Sequence, residues 1–221
     1  MSDEWQAVDD YIAEKLLGPD PELEAALAAN ADAGLPPIDV SPPHGRLLAF
    51  YARMMGARRI LEIGTLGGYS TIGFAREVPP YGQVVTLEID PRHAEVARRN
   101  LAQAGLGDRV DIRVGPALAS LEAMVAAGEP PFDLVFIDAD KESNADYVRA
   151  VLDLTRPGAA IIVDNVVRDG KITDPDSSDT MVQGTRRLYD YLAVETRLDA
   201  TAVQTVGSKG WDGFVLALVK E

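Results

Sequence analysis

Five short stretches of this chain end an apolar run on residues that can do chemistry: Glu62-Ile63-Gly64, Glu88-Ile89-Asp90, Gly115-Pro116-Ala117, Asp138-Ala139-Asp140-Lys141 and Asp164-Asn165. Asp138, Asp164 and Asn165 together offer two carboxylates and an amide carbonyl. That all-oxygen set suits a hard divalent cation such as Mg²⁺, which leaves further positions to water and substrate. Singly, each has a plainer reading, because a strand-end Asp often caps a helix and Asp-Asn often makes a turn. At neighbouring strand ends the set reads as metal ligands. Lys141 follows Asp138 by three residues, and burial beside a divalent cation would disfavour its ammonium and suit it to act as a base. The alternative is an exposed lysine that neutralises Asp138 and Asp140. With no cysteine and two histidines, the chain is a poor candidate for zinc or copper. His44 and His93 stand apart from each other and from the strand ends, and read as surface or helix-start residues.

The glycines Gly64, Gly67 and Gly68 punctuate the passage from an apolar run, 60–63, to helix-compatible residues from Tyr69 onward. A strand, a glycine turn and a helix N-terminus form a cradle in which the backbone approaches a ligand and free N–H groups favour its anionic end. The spacing does not meet the G-x-G-x-x-G dinucleotide fingerprint. Glu62, two residues before Gly64, can attract a cationic group, which a pyrophosphate cofactor does not offer. Glu88 ends the next apolar run and can accept two hydrogen bonds from a ribose diol. Asp90, just before Pro91, is the better helix cap, which leaves Glu88 for the sugar.

These residues need elements to hold them. Strands are expected over 58–63, 84–90, 109–114, 132–138 and 160–165, alternating with helices, so the sheet is parallel and doubly wound. Two more strands, 201–206 and 214–219, flank seven turn-like residues and should form an antiparallel hairpin. In an open parallel sheet ligands bind outside the carboxyl ends of the strands, where the five stretches fall. Ser41 reads as the cap of a helix opened by Pro42-Pro43 and closed by Gly56. Residues 1–37 carry two helices and are too few for a domain of their own. They are expected to cap the main body, over the active site or at a subunit interface, within one domain spanning 1–221. The stretch 168–178 is the expected mobile loop, and Trp211 could pack on an aromatic substrate or anchor the hairpin.

Bulk composition narrows the classes. The chain has 221 residues, 47% apolar and 25% charged, as an ordinary globular protein does. Its 21 basic and 35 acidic residues give −14, a field that repels phosphate backbones and anionic membranes. Neither nucleic acid nor a membrane is therefore the expected partner. Absent cysteines exclude disulfides and thiolate catalysis. No apolar run reaches membrane-spanning length and the first ten residues are acidic, unlike a signal peptide, so a soluble cytoplasmic protein is expected.

The motifs Glu62-Ile63-Gly64-Thr65-Leu66-Gly67-Gly68-Tyr69-Ser70, Leu87-Glu88-Ile89-Asp90, FDLVFIDADK at 132–141 and Val163-Asp164-Asn165 resemble, in order and spacing, the cation-dependent class I S-adenosylmethionine O-methyltransferases, the group of catechol and caffeoyl-CoA O-methyltransferases. The resemblance covers about residues 36–221. It implies a Rossmann-like, doubly wound α/β sheet of seven strands, mostly parallel with a C-terminal antiparallel hairpin. It implies S-adenosylmethionine and a divalent cation, metal ligation by Asp138, Asp164 and Asn165, and Lys141 as general base. Gly64 and Ser70 would hold the methionine end, with Ser70 at its carboxylate and Glu62 near its amino group. Glu88 would hold the ribose, while Val40 and Ala117 match cofactor-lining positions, Ala117 beside the adenine. Pro116 stands where many relatives carry an acid, and Asp212 is a candidate for an additional substrate-binding acid. The family suggests a homodimer and a small phenolic acceptor with vicinal hydroxyls. The acidity of the chain favours a small, weakly charged phenol over a CoA ester. Two other readings of the sheet are an NAD(P)-dependent oxidoreductase and a non-catalytic nucleotide-binding module. The missing fingerprint counts against the first, and the Asp138, Lys141, Asp164, Asn165 set counts against the second.

Overall fold

The computed structural model describes residues 2–221, with side chains from residue 3. Helix α1 (Ser2–Ile12) runs into a π-helical turn, Ala13–Leu17. Helix α2 (Pro21–Asp32) starts where Asp20 accepts the Leu23 N–H and Pro21 fits the first turn. Helix α3 (Pro42–Met55) follows and ends on Gly56 in the left-handed conformation. At its start Ser41 contributes its carbonyl, which accepts the Gly45 N–H at 2.8 Å, and not its hydroxyl.

Strands β1 (Arg59–Ile63), β2 (Gln83–Glu88), β3 (Val110–Val114), β4 (Phe132–Ile137) and β5 (Thr155–Asp164) alternate with α4 (Tyr69–Glu77), α5 (Pro91–Gln103), α6 (Ala117–Ala127) and α7 (Asn144–Val151). Helix α8 (Thr180–Val194) leads to β6 (Leu198–Gly207) and β7 (Gly210–Val219). The sheet order is β3-β2-β1-β4-β5-β7-β6. Strands β1 to β5 are parallel, and β7 runs antiparallel to both β5 and β6. The expected mostly parallel α/β sheet with a closing hairpin is thus present. The order reverses between β1's two neighbours, β2 and β4, and that switch point opens a crevice at the strand ends.

Every residue of β4 is buried, and its side chains alternate between two cores. Leu134 and Phe136 join Leu48, Phe74 and Leu101 on the α3–α5 side. Val135 and Ile137 join Leu121, Val148 and Leu188 on the α6–α8 side. Two differences from the expected elements have local causes. Strand β5 starts at Thr155, before Pro157-Gly158, because a register irregularity opposite Phe132–Leu134 absorbs those residues. The hairpin turn shrinks to Ser208-Lys209, with the ladder closing at Gly207 and Gly210, so Trp211 and Asp212 lie on β7. Among the described residues no helix is long and apolar enough to cross a membrane.

The N-terminal helices pack against the body. Asn30 of α2 donates to Asp39 at 2.9 Å, and Asn100 of α5 donates to Asn30 at 3.0 Å and to the Gly67 carbonyl at 2.9 Å. Both asparagines are buried, so this relay pins the cap to the glycine turn with its polar groups satisfied. Asp20 adds a two-pronged ion pair to Arg76 of α4.

At the opposite end of the sheet, Asp133 sits at the entry of β4 and is buried. Its Oδ2 accepts the Arg58 and Arg59 N–H groups at 2.7 and 3.0 Å, and its Oδ1 accepts from Arg156. Burial works against its charge, but these donors outweigh burial and hold the carboxyl below its ordinary value. Replacing Asp133 with Ala leaves two part-buried backbone N–H groups without their acceptor and should cost about 1–3 kcal/mol in denaturant unfolding. Since the folded-state value is depressed, the stabilisation exists above pH 4 or so and fades as pH falls through the folded value. An Asp133→Ala protein as stable as wild type at pH 7 would contradict this.

Candidate active site

The turn after β1 brings the backbone against its neighbour strand. Gly64 sits at φ +99°, and a Cβ there would lie 2.0 Å from the Asp138 carbonyl oxygen, so no side chain fits. Its N–H donates to Leu87 O at 2.9 Å. Glu88 braces the same turn: Oε2 accepts the Thr65 and Leu66 N–H groups at 3.1 and 2.8 Å, and Oε1 accepts the Asp90 N–H at 2.9 Å. Glu88 is therefore already a structural acceptor. It keeps spare lone pairs for a ligand, since an ionised carboxylate offers about four sites. Asp90 is the cap of α5, as expected, accepting the Arg92 N–H.

Two chambers open over the strand ends. The larger, about 610 Å³, runs along the glycine turn and is lined by Gly64, Ser70, Glu88, His93, Ala117 and Lys141, among others. The smaller, about 440 Å³, lies between α3, the cap and the hairpin, and includes Asp9, His44, Asp164, Lys209, Asp212 and Phe214. Val40, Asp39, Asp138, Asn165 and Arg168 line both. Of the sequence-predicted residues, Val40, Gly64, Ser70, Glu88, Ala117, Asp138, Lys141, Asp164 and Asn165 all line one chamber or the other. Glu62 does not. It is completely buried beneath the turn, where the hydroxyls of Ser70, Thr71 and Thr86 donate to it. Ser70 thus stands between Glu62 and the chamber, with its hydroxyl proton already committed.

At the junction Lys141 is buried and its Nζ donates to Asp138 Oδ1 at 2.6 Å. The 3₁₀ turn that carries it, Lys141–Ser143, is clamped by α8: a Cβ on Gly184 would stand 2.4 Å from the Lys141 carbonyl oxygen. Burial, reinforced by the neighbouring Asp138 carboxylate, pushes the Asp164 carboxyl well above the ordinary carboxylate range, against the pull of Lys141 and the Asn165 N–H. Asn165 adopts φ +57°, a left-handed conformation that asparagine tolerates better than most residues. Among the described residues no three His, Cys, Asp or Glu side chains gather as a metal cluster. A cation at this junction would need the Asn165 amide to complete the two carboxylates.

Some lining residues escaped the sequence reading. His44 lies in the first turn of α3, as the helix-start reading expected, but it also lines a chamber wall. It stacks on Phe214 at 5.5 Å, and its Nδ1 lies 3.7 Å from Asp164 Oδ2. Burial lowers its pKa although Asp138 and Asp212 oppose the shift, so the imidazole is neutral near pH 7. No spacing in the sequence marked it, because Val40 lies outside α3 and the contact depends on how α3 packs against Phe214 of β7. His93 lies 3.6 Å from Glu88 in the first turn of α5. Asp212 accepts the Val167 and Arg168 N–H groups at 2.9 and 3.1 Å. Trp211 is absent from the chamber walls and packs on Gly170. Stretch 168–178 is partly a 3₁₀ segment, Arg168–Thr173, tied to α8 by Arg186 and Gln183 through the carbonyls of Ile172, Pro175 and Ser177.

A family model described as O-methyltransferase matches residues 20–219. The chain is 53% identical to a catechol O-methyltransferase of Mycobacterium tuberculosis, over 96% of this chain and 95% of that one. It is 47% identical to one of Niastella koreensis, over 98% of each. Among solved structures, an O-methyltransferase of Bacillus cereus in complex with SAH superposes with a TM-score of 0.98 at 52% identity, covering 100% of both chains. One of Streptomyces achromogenes involved in tomaymycin synthesis, in complex with SAM, gives 0.95 at 47% identity, over 100% of this chain and 99% of that one.

The buried acid under the turn makes stability depend on pH. Burial pushes the Glu62 carboxyl from 4.5 up to about 7, despite the three hydroxyl donors. Below pH 4.5 it is protonated folded or unfolded and contributes no slope. Between 4.5 and 7 the folded state keeps a proton that the unfolded state releases, so stability falls as pH rises, and above 7 the loss is complete. Unfolding of wild type and Glu62→Gln across pH should show the wild type's relative stability declining through that window and then levelling. A pH-independent difference would rule out the buried, raised carboxyl.

Proposed function

The chain belongs to the O-methyltransferase family and is an S-adenosylmethionine-dependent O-methyltransferase; from that premise we propose that it methylates a hydroxyl of a small aromatic acceptor with vicinal hydroxyls, in a reaction that depends on a divalent cation. The observation that carries this reading is the wall shared by the two chambers. Asp138 and Asn165 belong to both, so a donor over the glycine turn and an acceptor over β4 and β5 would meet there. The curated relatives named catechol O-methyltransferase support the acceptor class.

In this reading the methionine end of the cofactor lies against Gly64 and the N-terminal turn of α4 at Ser70. Free N–H groups there favour its carboxylate. Glu88 accepts from the ribose hydroxyls with its spare lone pairs, and Ala117 and Gly115 border the adenine. Glu62 acts from beneath, fixing the Ser70 hydroxyl. S-adenosylmethionine supplies a methyl group on a sulfonium sulfur. Val40 backs the junction from the α3 side and helps keep water out, which favours the mutual neutralisation of sulfonium and phenolate.

Asp138, Asp164 and Asn165 would hold the cation. Their chemistry fits: the charge of Asp164 is disfavoured by burial and by its neighbour Asp138, and a divalent charge would offset both. A cation there favours the phenolate form of a coordinated hydroxyl and fixes its direction. Lys141 Nζ is the group placed to take the hydroxyl proton. It donates to Asp138 Oδ1, and it would take that proton only as the neutral amine, since an ammonium has no lone pair to accept one. Orientation of the two reactants can supply about 7–11 kcal/mol in favourable cases. Small size suits the acceptor chamber of about 440 Å³, and homodimerisation is proposed from the family alone.

Chelator should abolish catechol methylation and Mg²⁺ should restore it. Asp164→Ala should lower kcat at least a hundredfold while calorimetry finds S-adenosylhomocysteine bound within a few-fold of wild type. Lys141→Ala should lower kcat more than it alters cofactor affinity. Full turnover in chelator would remove the cation from the mechanism.

A further inference from the structure

The wall between the chambers contains a guanidinium, Arg168, that the mechanism above does not use. The chain holds it there at a cost. Arg168 and Asp169 adopt φ +54° and +55°, consecutive left-handed residues of which neither is glycine, a conformation that stores backbone strain. Strand β7 pins the strained turn from below. Asp212 Oδ1 accepts the N–H groups of Val167 and Arg168, and the Trp211 indole packs on Gly170 so closely that a Cβ there would lie 2.6 Å from the ring.

The side chain so placed has unspent hydrogen-bonding capacity. Nη2 reaches the thioether of Met181 at 3.6 Å, and Nη1 stands 3.8 Å from Asp212 Oδ2, beyond hydrogen-bond length. Nε is buried without a partner. The other basic residues nearby are committed: Lys209 donates to the Pro37 carbonyl at 3.0 Å, and Lys171 pairs with Asp169 at the surface. The carboxylates facing the same space are also engaged. Asp39 accepts from Asn30, Asp212 from two backbone N–H groups, and Asp138 and Asp164 belong to the cation position. A guanidinium fork with open donors matches a carboxylate, which it can hold by two parallel bonds.

We propose that Arg168 determines acceptor specificity by binding a carboxylate substituent, so that the acceptor is a small dihydroxy aromatic acid. This rests on the acceptor class proposed above. The other carboxylate within reach is that of the cofactor, which has its own place at the N-terminus of α4.

The test uses 3,4-dihydroxybenzoate, its neutral methyl ester and 3,4-dihydroxybenzylamine, with saturating S-adenosylmethionine and Mg²⁺. The wild type should prefer the acid over the ester by about tenfold or more in kcat/KM, the size of a charge-assisted hydrogen bond. Arg168→Gln should erase that preference through KM, and Arg168→Lys should keep part of it, which separates lost charge from a disturbed fold. S-adenosylhomocysteine affinity should move by less than about threefold. An unchanged acid-to-ester ratio in Arg168→Gln, or a wild-type preference for the amine, would overturn the proposal. So would a loss confined to S-adenosylhomocysteine affinity, which would assign Arg168 to the cofactor's carboxylate. If the wild type methylates none of the three, the acceptor class itself is wrong. Calorimetric titration of the acid into S-adenosylhomocysteine-loaded wild type and Arg168→Gln then still decides whether Arg168 binds it.

Discussion

Gly64 and Asp138 lie closer together than any side chain at position 64 would allow, and that contact sets the geometry of everything above the sheet. It exists because β1 and β4 are neighbours at the point where the strand order reverses. The Asp138 N–H completes the ladder to Ile63 O at 2.8 Å, so the glycine turn and the acidic strand end are joined by backbone. The paired stretches Ile60–Ile63 and Leu134–Ile137 are buried, so water does not compete for these backbone hydrogen bonds. Glu88 extends the same frame from β2 by holding two N–H groups of the turn.

Around this frame the chain accumulates groups that are costly in isolation. Glu62 is a carboxyl with no contact to solvent, Asp164 is buried beside another acid, and Asn165, Arg168 and Asp169 occupy left-handed backbone. Each is tolerated because the neighbouring elements over-determine it: hydroxyls for Glu62, β7 for the strained turn, the α8 glycine for the Lys141 turn. Strain and unpaired charge of this kind concentrate where binding energy will be recovered from a ligand.

What the sequence made legible was local. Short apolar runs with an acid at or near their ends located β1, β2, β4 and β5, and glycine and proline punctuation located their helices. A rule about strand ends then pointed to Glu88, Asp138, Asp164 and Asn165, whereas Val40, Ser70 and Ala117 came only from the family resemblance. Contacts between distant stretches were not legible. Nothing near Asp133 announces that its partners are the Arg58 and Arg59 N–H groups. The Asn30–Asn100 relay joins residues seventy positions apart, and His44 reaches Asp164 only because α3 packs over β7. The hairpin misread has the same origin. Three glycines between 207 and 213 look like a loop, but two serve close packing, Gly213 against the Val203 carbonyl within the ladder and Gly207 against Asp9 of α1.

The account's central claim is that donor and acceptor meet at the wall the two chambers share. A crystal structure of the protein with S-adenosylhomocysteine, Mg²⁺ and 3,4-dihydroxybenzoate tests it most directly. The sulfur should lie over Gly64, with the cation on Asp138, Asp164 and Asn165 and both aromatic hydroxyl oxygens on the cation. A cation bound elsewhere, or an acceptor whose hydroxyls point away from the Asp138 strand end, would contradict it.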